Sequence, residues 1–286
     1  MPMTFWFVQA LNGISYGMLL FLLAAGLSLI FGLMKVLNLT HGSFYLLGGY
    51  FGLTVMQSTG SFVLAVLAAC SAIAILGIVI ERVFLRRLYL DELPQALVTF
   101  GFLFIFSDLA TVIWGGDPQT MPKPDLFTGS LQLGTFYYPI YRLFIIGFGL
   151  AIALLLWWLQ DGTRIGAMVR ASVDNDEVAR AMGINVSLLF TLVFGLGAFL
   201  AALGGVMGGP IVGVYPGADF EILLLGFVVV IIGGLGSLKG ALFGGLLVGL
   251  LDTFGKVFFP ELALFTIFAP MALILAVRPS GLFGRE

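Results

Sequence analysis

Apolar stretches long enough to cross a bilayer recur along the whole chain, and they constrain its fold more than any motif does. They cover about residues 5–33, 42–57, 61–83, 95–114, 140–159, 187–209, 219–235, 240–258 and 262–278. A crossing helix needs about 20 predominantly apolar residues, and continuous apolar runs without period-two alternation argue against a transmembrane barrel. In hydrocarbon every backbone N–H and C=O must be satisfied internally, so the runs must be helices. The fold class is all-α, a polytopic membrane helix bundle of about eight or nine segments, some broken or re-entrant, with residues 1–286 forming one transmembrane domain. Hydrophobic residues make up 60% of the chain and charged residues 10%, a balance that excludes a soluble domain of this length.

Nine crossings place the termini on opposite sides of the membrane, and the basic residues choose the sides. With the N-terminus outside, the inner segments hold Lys35, Arg82, Arg86, Arg87, Arg164, Arg170, Arg180, Lys239, Arg278 and Arg285, and the outer ones hold Lys123, Arg142 and Lys256. That distribution follows the positive-inside rule, with the C-terminus in the cytoplasm. The stretches 42–57 and 219–235 are close to the crossing limit and are candidates for re-entrant segments. A net charge of −2 gives no polybasic signature, so neither a nucleic-acid partner nor a lipid-charge anchor is implied. Cys70, the single cysteine, can form no disulfide within the chain. The start, Met1-Pro2-Met3-Thr4-Phe5-Trp6, lacks the basic region of a cleaved signal peptide, so the first helix is expected to be retained.

The longest polar interruption runs from Asp161 to Asn185. Asp174 and Glu177 have the spacing of a capping box, and Gly183 supplies a left-handed helix end, which predicts a helix of about two turns between them. Val178, Ala181 and Met182 share one face of it. So short a helix is marginal alone in water and needs a surface to pack on. It reads as a cytoplasmic lever presented to a soluble partner. On the other side of the membrane, residues 115–139 carry turn signals at Gly116-Asp117-Pro118, Pro122, Pro124 and Gly129-Ser130, a loop long enough to receive an external partner or simply to connect two helices.

Glycines spaced four apart recur at Gly13/Gly17, Gly48/Gly52, Gly204/Gly208, Gly205/Gly209, Gly240/Gly244 and Gly245/Gly249. Such faces let helices approach closely in lipid, either within one bundle or at a dimer seam. Gly233-Gly234-Leu235-Gly236-Ser237 reads differently, as a helix break at membrane depth that protein or a watery cavity must surround. Residues 26–52 and 226–249 faintly echo each other, each an apolar run, a polar break with one basic residue and a Gly-Gly run.

Ionisable residues within a membrane are functional candidates by default. Asp108 lies beside Ser107 toward the outer end of its span, and Asp252 stands four residues before Lys256, spaced to neutralise it. His41, the only histidine, sits at the inner mouth of a hairpin and has no partners for a metal site. There is no Ser/His/Asp set, no metal-ligand spacing and no nucleophile elbow. Gly255-Lys256 is followed by Val257, so it forms no phosphate loop. No catalytic residue and no metal site is expected, and this chain does not itself hydrolyse ATP.

The run Gly26-Leu27-Ser28-Leu29-Ile30-Phe31-Gly32-Leu33-Met34-Lys35-Val36-Leu37-Asn38-Leu39-Thr40-His41-Gly42, continued by Tyr45-Leu46-Leu47-Gly48, resembles the N-terminal signature of the membrane permeases of bacterial branched-chain amino acid ABC importers. Arg170-Ala171 to Gly183-Ile184-Asn185 resembles that family's cytoplasmic coupling segment, Gly233 to Ser237 its glycine-serine turn, and Arg278-Pro279-Ser280-Gly281-Leu282-Phe283-Gly284 its closing motif. Thr40 stands where alanine is usual, and Asp252 where glutamate is frequent. The resemblance implies a permease subunit of the bacterial inner membrane, paired with a second permease or a copy of itself. Two cytoplasmic ATPases, which hold ATP and Mg, and a periplasmic substrate-binding protein complete the importer.

Arg170, Asp174, Glu177, Ala181, Met182 and Gly183 are then coupling residues, and Gly233, Gly234, Gly236 and Ser237 form the break or hinge. A pathway for a zwitterion needs a few polar groups and little net charge. Asn12, Ser15, Tyr16, Asn38, His41, Ser107 and Asp108 are the candidates, or else they are glue between helices. Relatives in the family carry urea, short amides or aromatic acids as well as branched-chain amino acids. A stand-alone secondary carrier or channel is the alternative, although Asp108 and Asp252 are a thin set of coupling groups for one. A membrane-embedded enzyme lacks the histidine, cysteine and paired carboxylates it would use.

Overall fold

The computed structural model describes residues 3–35, 37–88, 91–134 and 136–284. Met1, Pro2, Val36 and Arg285, which entered the sequence reading, lie outside the described residues. In chain order the helices are α1 Met3–Met34, α2 His41–Thr59, α3 Phe62–Val83, α4 Glu92–Trp114, α5 Ile140–Gly162, α6 Arg164–Asp174, α7 Asp176–Ala181, α8 Val186–Val212, α9 Ala218–Gly233, α10 Leu238–Phe258 and α11 Ala263–Val277. Each of the nine apolar stretches holds one helix, and α6 and α7 occupy the long polar interruption.

Seven of the described helices are long and apolar enough to cross a membrane. Of the helices on the apolar stretches, α2 and α9 fall outside that set, and they are the two expected to be re-entrant. The 16 residues of α9 reach only about 24 Å at 1.5 Å per residue, less than a hydrocarbon core of about 30 Å. The start of α2 lies deep in the bundle, because the Nε2 of His41 is 3.0 Å from the carbonyl oxygen of Leu23. Leu23 stands eleven residues before the end of α1, about 16 Å along its axis. His41 is therefore in the membrane interior, not at the inner mouth of a hairpin as the sequence implied. The climbing segment meets α4, where the Leu39 N–H donates to Thr99 Oγ1 at 3.2 Å and Thr40 Oγ1 donates to the Thr99 carbonyl at 2.9 Å. Polar side chains thus satisfy the backbone where the helix is absent.

Helices α1 and α8 form the core, with 78% and 72% of their spanning windows buried, whereas α5 and α11 show 17% and 6% and line the periphery. The glycine pairs account for the closeness of the inner helices. A Cβ on Gly17 would stand 2.6 Å from the Gly245 carbonyl oxygen, and one on Gly249 would stand 2.5 Å from the Gly17 Cα. Gly48 likewise faces Ala202, and Gly52 faces Val206, where α2 meets α8. These glycine faces are packed inside one bundle and are not available as a dimer seam. Gly249→Leu must push α1 from α10 backbone against backbone, at a cost of about 3 kcal/mol. The expected result is a large loss of folded protein from the membrane fraction, read by size-exclusion chromatography in detergent, with Leu250→Ala as the tolerated neighbour.

The end of the bundle opposite Lys35 is closed by a hairpin, β1 Ser130–Leu133 paired antiparallel with β2 Phe136–Pro139. Two 2.8 Å hydrogen bonds between Gln119 and Val214 tie the 115–139 loop to the segment after α8. Asp252 and Lys256 form the expected i,i+4 pair at 2.7 Å.

Candidate functional site

The polar interruption folds into two helices where one was expected. Thr163 caps α6 by accepting from the Gly166 N–H at 3.1 Å, and Arg170 of α6 donates to the Gln160 carbonyl and pairs with Asp161 at 3.4 Å. Arg170 therefore fastens α6 to the end of α5. The cap of α7 is Asn175, not Asp174: its extended backbone lets Oδ1 accept from the Val178 N–H at 3.0 Å, while Asp174 ends the preceding helix. The expected capping box does not form, since N3 is Val178 and the Asn175 N–H donates to the Ala171 carbonyl; asparagine at the kink makes the N-cap bond by itself, a contribution of about 1 kcal/mol.

The C-terminal end is as expected. Gly183 has φ +84°, its N–H donates to the Arg180 carbonyl at 3.0 Å, and the Ile184 N–H donates to the Ala179 carbonyl at 3.1 Å. These two bonds are the Schellman pattern, which a left-handed glycine permits at no steric cost. Ala179, 2% exposed, belongs to one buried apolar cluster with Leu33 of α1 and Val186, Leu189, Phe190 and Val193 of α8. The opposite face holds the exposed apolar residues Val178, Ala181 and Met182, with Glu177 beside them. A two-turn helix is thus held at a fixed angle on α1 and α8, with a small apolar face turned outward.

Nearby, Arg86 reaches the Glu81 carboxylate with Nε and Nη2 at 3.1 and 3.2 Å, and also donates to Thr191 Oγ1 at 2.5 Å and to the Ser187 carbonyl at 3.1 Å. Glu81 is 1% exposed, so this cluster locks α3 to the base of α8. Sequence reasoning missed Glu81, although a carboxylate at the end of an apolar run followed by Arg82, Arg86 and Arg87 was a readable signal.

The glycine-serine break is also present. Gly234 and Gly236 take φ +104° and +79°, and Ser237 caps α10 by accepting from the Gly240 N–H at 3.0 Å. Gly32, two residues before the end of α1, faces Gly236 of this break. Protein supplies the missing backbone partners: the N–H groups of Leu282 and Phe283 donate to the carbonyls of Ile232 and Gly233, both at 2.9 Å, and Phe283 stacks on Phe243. The closing motif is therefore the cap of the broken helix. Deleting residues 279–286 removes both bonds and the stacked ring, and should lower stability by about 2–3 kcal/mol, measured as a lower melting temperature in detergent.

The candidate pathway residues do not share one cavity. Asn12 accepts from Tyr138 Oη at 3.3 Å and Arg142 Nη1 at 3.1 Å, bracing α1 against the hairpin end. Ser15 is buried, and Tyr16 lies 5.6 Å beneath the Lys256 ammonium, close to Asp252. Asn38 and His41 are fully buried; both polar side-chain atoms of Asn38 and the Nδ1 of His41 lack a hydrogen-bond partner among the described residues. Ser107 turns toward Asp219, whereas Asp108 is exposed on the outer face of α4. Asp219, 1% exposed in the first turn of α9, is a membrane carboxylate that the sequence reading passed over. The available signal was a carboxylate two residues after the turn pair Pro216-Gly217, in the first turn of a helix.

Residues 9–277 match the family described as the branched-chain amino acid transport system permease component. The chain belongs to that family. It is 30% identical to the high-affinity branched-chain amino acid transport system permease protein BraD of Pseudomonas aeruginosa, over 100% of this chain and 98% of BraD. It is 29% identical to the corresponding LivH protein of Salmonella typhimurium, over 97% of this chain and 95% of LivH. A probable branched-chain amino acid permease LivH of Methanocaldococcus jannaschii is 28% identical, over 85% of this chain and 78% of that protein. The expected membership and the expected polytopic helical fold both hold, and the chain is the permease component of an ABC transport system. The stand-alone carrier is not favoured.

Proposed function

We propose that this permease is the translocating subunit of an ATP-driven importer for branched-chain amino acids in the bacterial inner membrane. The substrate class rests on what the relatives' names say they transport. The observation that carries the coupling role is α7, a capped two-turn helix whose apolar face, Val178, Ala181 and Met182, is exposed among the described residues. In this reading the Lys35 end is cytoplasmic, the N-terminus is periplasmic and the C-terminus is cytoplasmic, as the distribution of basic residues favours. Two ATPases that bind ATP and Mg grip α7 through Val178, Ala181 and Met182, with Asp174 and Glu177 supplying charge and Gly183 the helix end. A second permease, identical or similar, faces this one, and a periplasmic binding protein docks at the 115–139 end.

Closure of the ATPases displaces α7. Because Ala179 belongs to a buried cluster shared with α1 and α8 while Arg170 joins α6 to α5, the displacement would reach three spanning helices together. The break at Gly233, Gly234, Gly236 and Ser237 absorbs the change in backbone angle, as hinge positions do. Tyr16, Asn38, His41 and Ser107 are the polar groups that would meet the zwitterion. Affinity purification of the detergent-solubilised permease, tagged at its C-terminus, tests the assembly. Two ATPase types with a second permease establish a heteromeric importer, and one ATPase type alone a homodimeric one. Recovery of the permease without any ATPase, in mild detergent with nucleotide, contradicts the proposal.

A further inference from the structure

A cavity of about 650 Å³ opens on the side of the bundle between α1, α5, α6 and α10, and it holds none of the candidate pathway residues. Its walls are apolar in the membrane interior, with Phe21, Leu150, Leu154 and Leu242, and basic at one end, with Lys35, Lys239 and Arg170. The groove exists because α5 touches α1 where Gly149 meets Met18 and stands apart below it, leaving Leu154 and Trp157 half exposed. Lys35 directly follows α1, fourteen residues beyond Phe21 and about 21 Å along the axis, a length that exceeds one hydrocarbon leaflet of about 15 Å.

The charges at the basic end are unequally matched. Arg170 pairs with Asp161, whereas Lys239 lies 5.6 Å over the Trp157 ring and neither lysine has an ion pair among the described residues. Two ammonium groups without an ion pair among the described residues, a tryptophan beside them and an apolar slot about one leaflet deep are together complementary to an anionic lipid. We infer that this groove is a binding site for one anionic phospholipid, its phosphate between Lys35 and Lys239 and one acyl chain along Leu150, Leu154 and Leu242. Basic pockets between spanning helices recognise such headgroups by charge, and the volume lies in the range of small-ligand cavities. The bound chain would fill the gap beside Gly236 and Ser237, so the lipid would sit against the helix break.

The test titrates the purified full-length permease, with its co-purifying subunits, with palmitoyl-oleoyl-phosphatidylglycerol or the matching phosphatidylcholine, and counts bound lipids by native mass spectrometry. The wild type should retain phosphatidylglycerol about tenfold better than phosphatidylcholine. K35Q/K239Q should bring phosphatidylglycerol down to the phosphatidylcholine level, K35R/K239R should keep the preference, and A153W, which fills the slot without altering charge, should weaken both lipids. Equal retention of the two lipids by the wild type overturns the inference, as does retention in K35Q/K239Q or A153W matching the wild type. Displacement by millimolar inorganic phosphate would assign the lysines to a free anion, and a groove closed to lipid by a second permease copy would make it an interface; either result also overturns it.

Discussion

Val178→Asp combined with Met182→Asp will reduce ATP-driven uptake at least tenfold and will release the ATPases from the permease during purification. Val178 is 56% exposed and Met182 78% exposed, so neither contributes to the folded chain's core, and the variant should remain monodisperse in the membrane. The loss arises at the contact surface, where anchoring side chains typically contribute about 2 kcal/mol or more each and a buried unpaired carboxylate is costlier still. Gly183→Pro attacks the same element from its end. Proline cannot adopt φ +84° and lacks the N–H that bonds Arg180, so α7 loses its Schellman closure. Uptake should fall with that variant as well, even though the exposed face is chemically intact. Normal uptake and normal ATPase recovery in both variants would remove α7 from the mechanism.

Arg86→Ala should lower the permease's stability by about 2–4 kcal/mol, the largest effect expected from a single polar side chain. It leaves the Glu81 carboxylate, 1% exposed, with Thr191 as its one remaining side-chain donor among the described residues, at 2.8 Å. Arg86 itself is 40% exposed, so its loss costs less than that of a fully buried partner. Replacing both residues by methionine should recover most of the stability, because the unpaired charge and its desolvation disappear together. Thermal melting of the three proteins in one detergent decides this, and a double variant as unstable as Arg86→Ala would show that the pair is worth more than its burial cost.

Most of the helical framework was legible because it depends on apolar length. The expected stretch 187–209 became Val186–Val212, and 5–33 became Met3–Met34, since long hydrophobic runs have few alternatives in lipid. Helix α6 was not legible as such: residues 164–174 carry no long apolar run, and what holds them helical is the Thr163 cap and the Arg170 tie to α5. The depth of His41 was also hidden. Asn38-Leu39-Thr40 reads like a turn at a membrane surface, and only its bonds to Thr99 and Leu23 place it inside.

In the candidate site, the left-handed Gly183 and the helix break from Gly233 to Ser237 were readable from backbone chemistry, because few residues other than glycine accept those dihedral angles. The N-cap was off by one because Asp174 and Asn175 are both competent caps and the choice depends on where α6 ends. Glu81 and Asp219 were passed over for a common reason: each lies at the edge of an apolar stretch, where sequence alone does not separate a surface charge from a buried one.

The most direct measurement is uptake of radiolabelled leucine into proteoliposomes that hold the permease with its co-purified subunits, with the binding protein outside and ATP inside. The account predicts accumulation that requires internal ATP, persists when an ionophore collapses every ion gradient, and is lost in Val178→Asp/Met182→Asp. Accumulation by the permease alone, driven by an ion gradient without ATP, would contradict it.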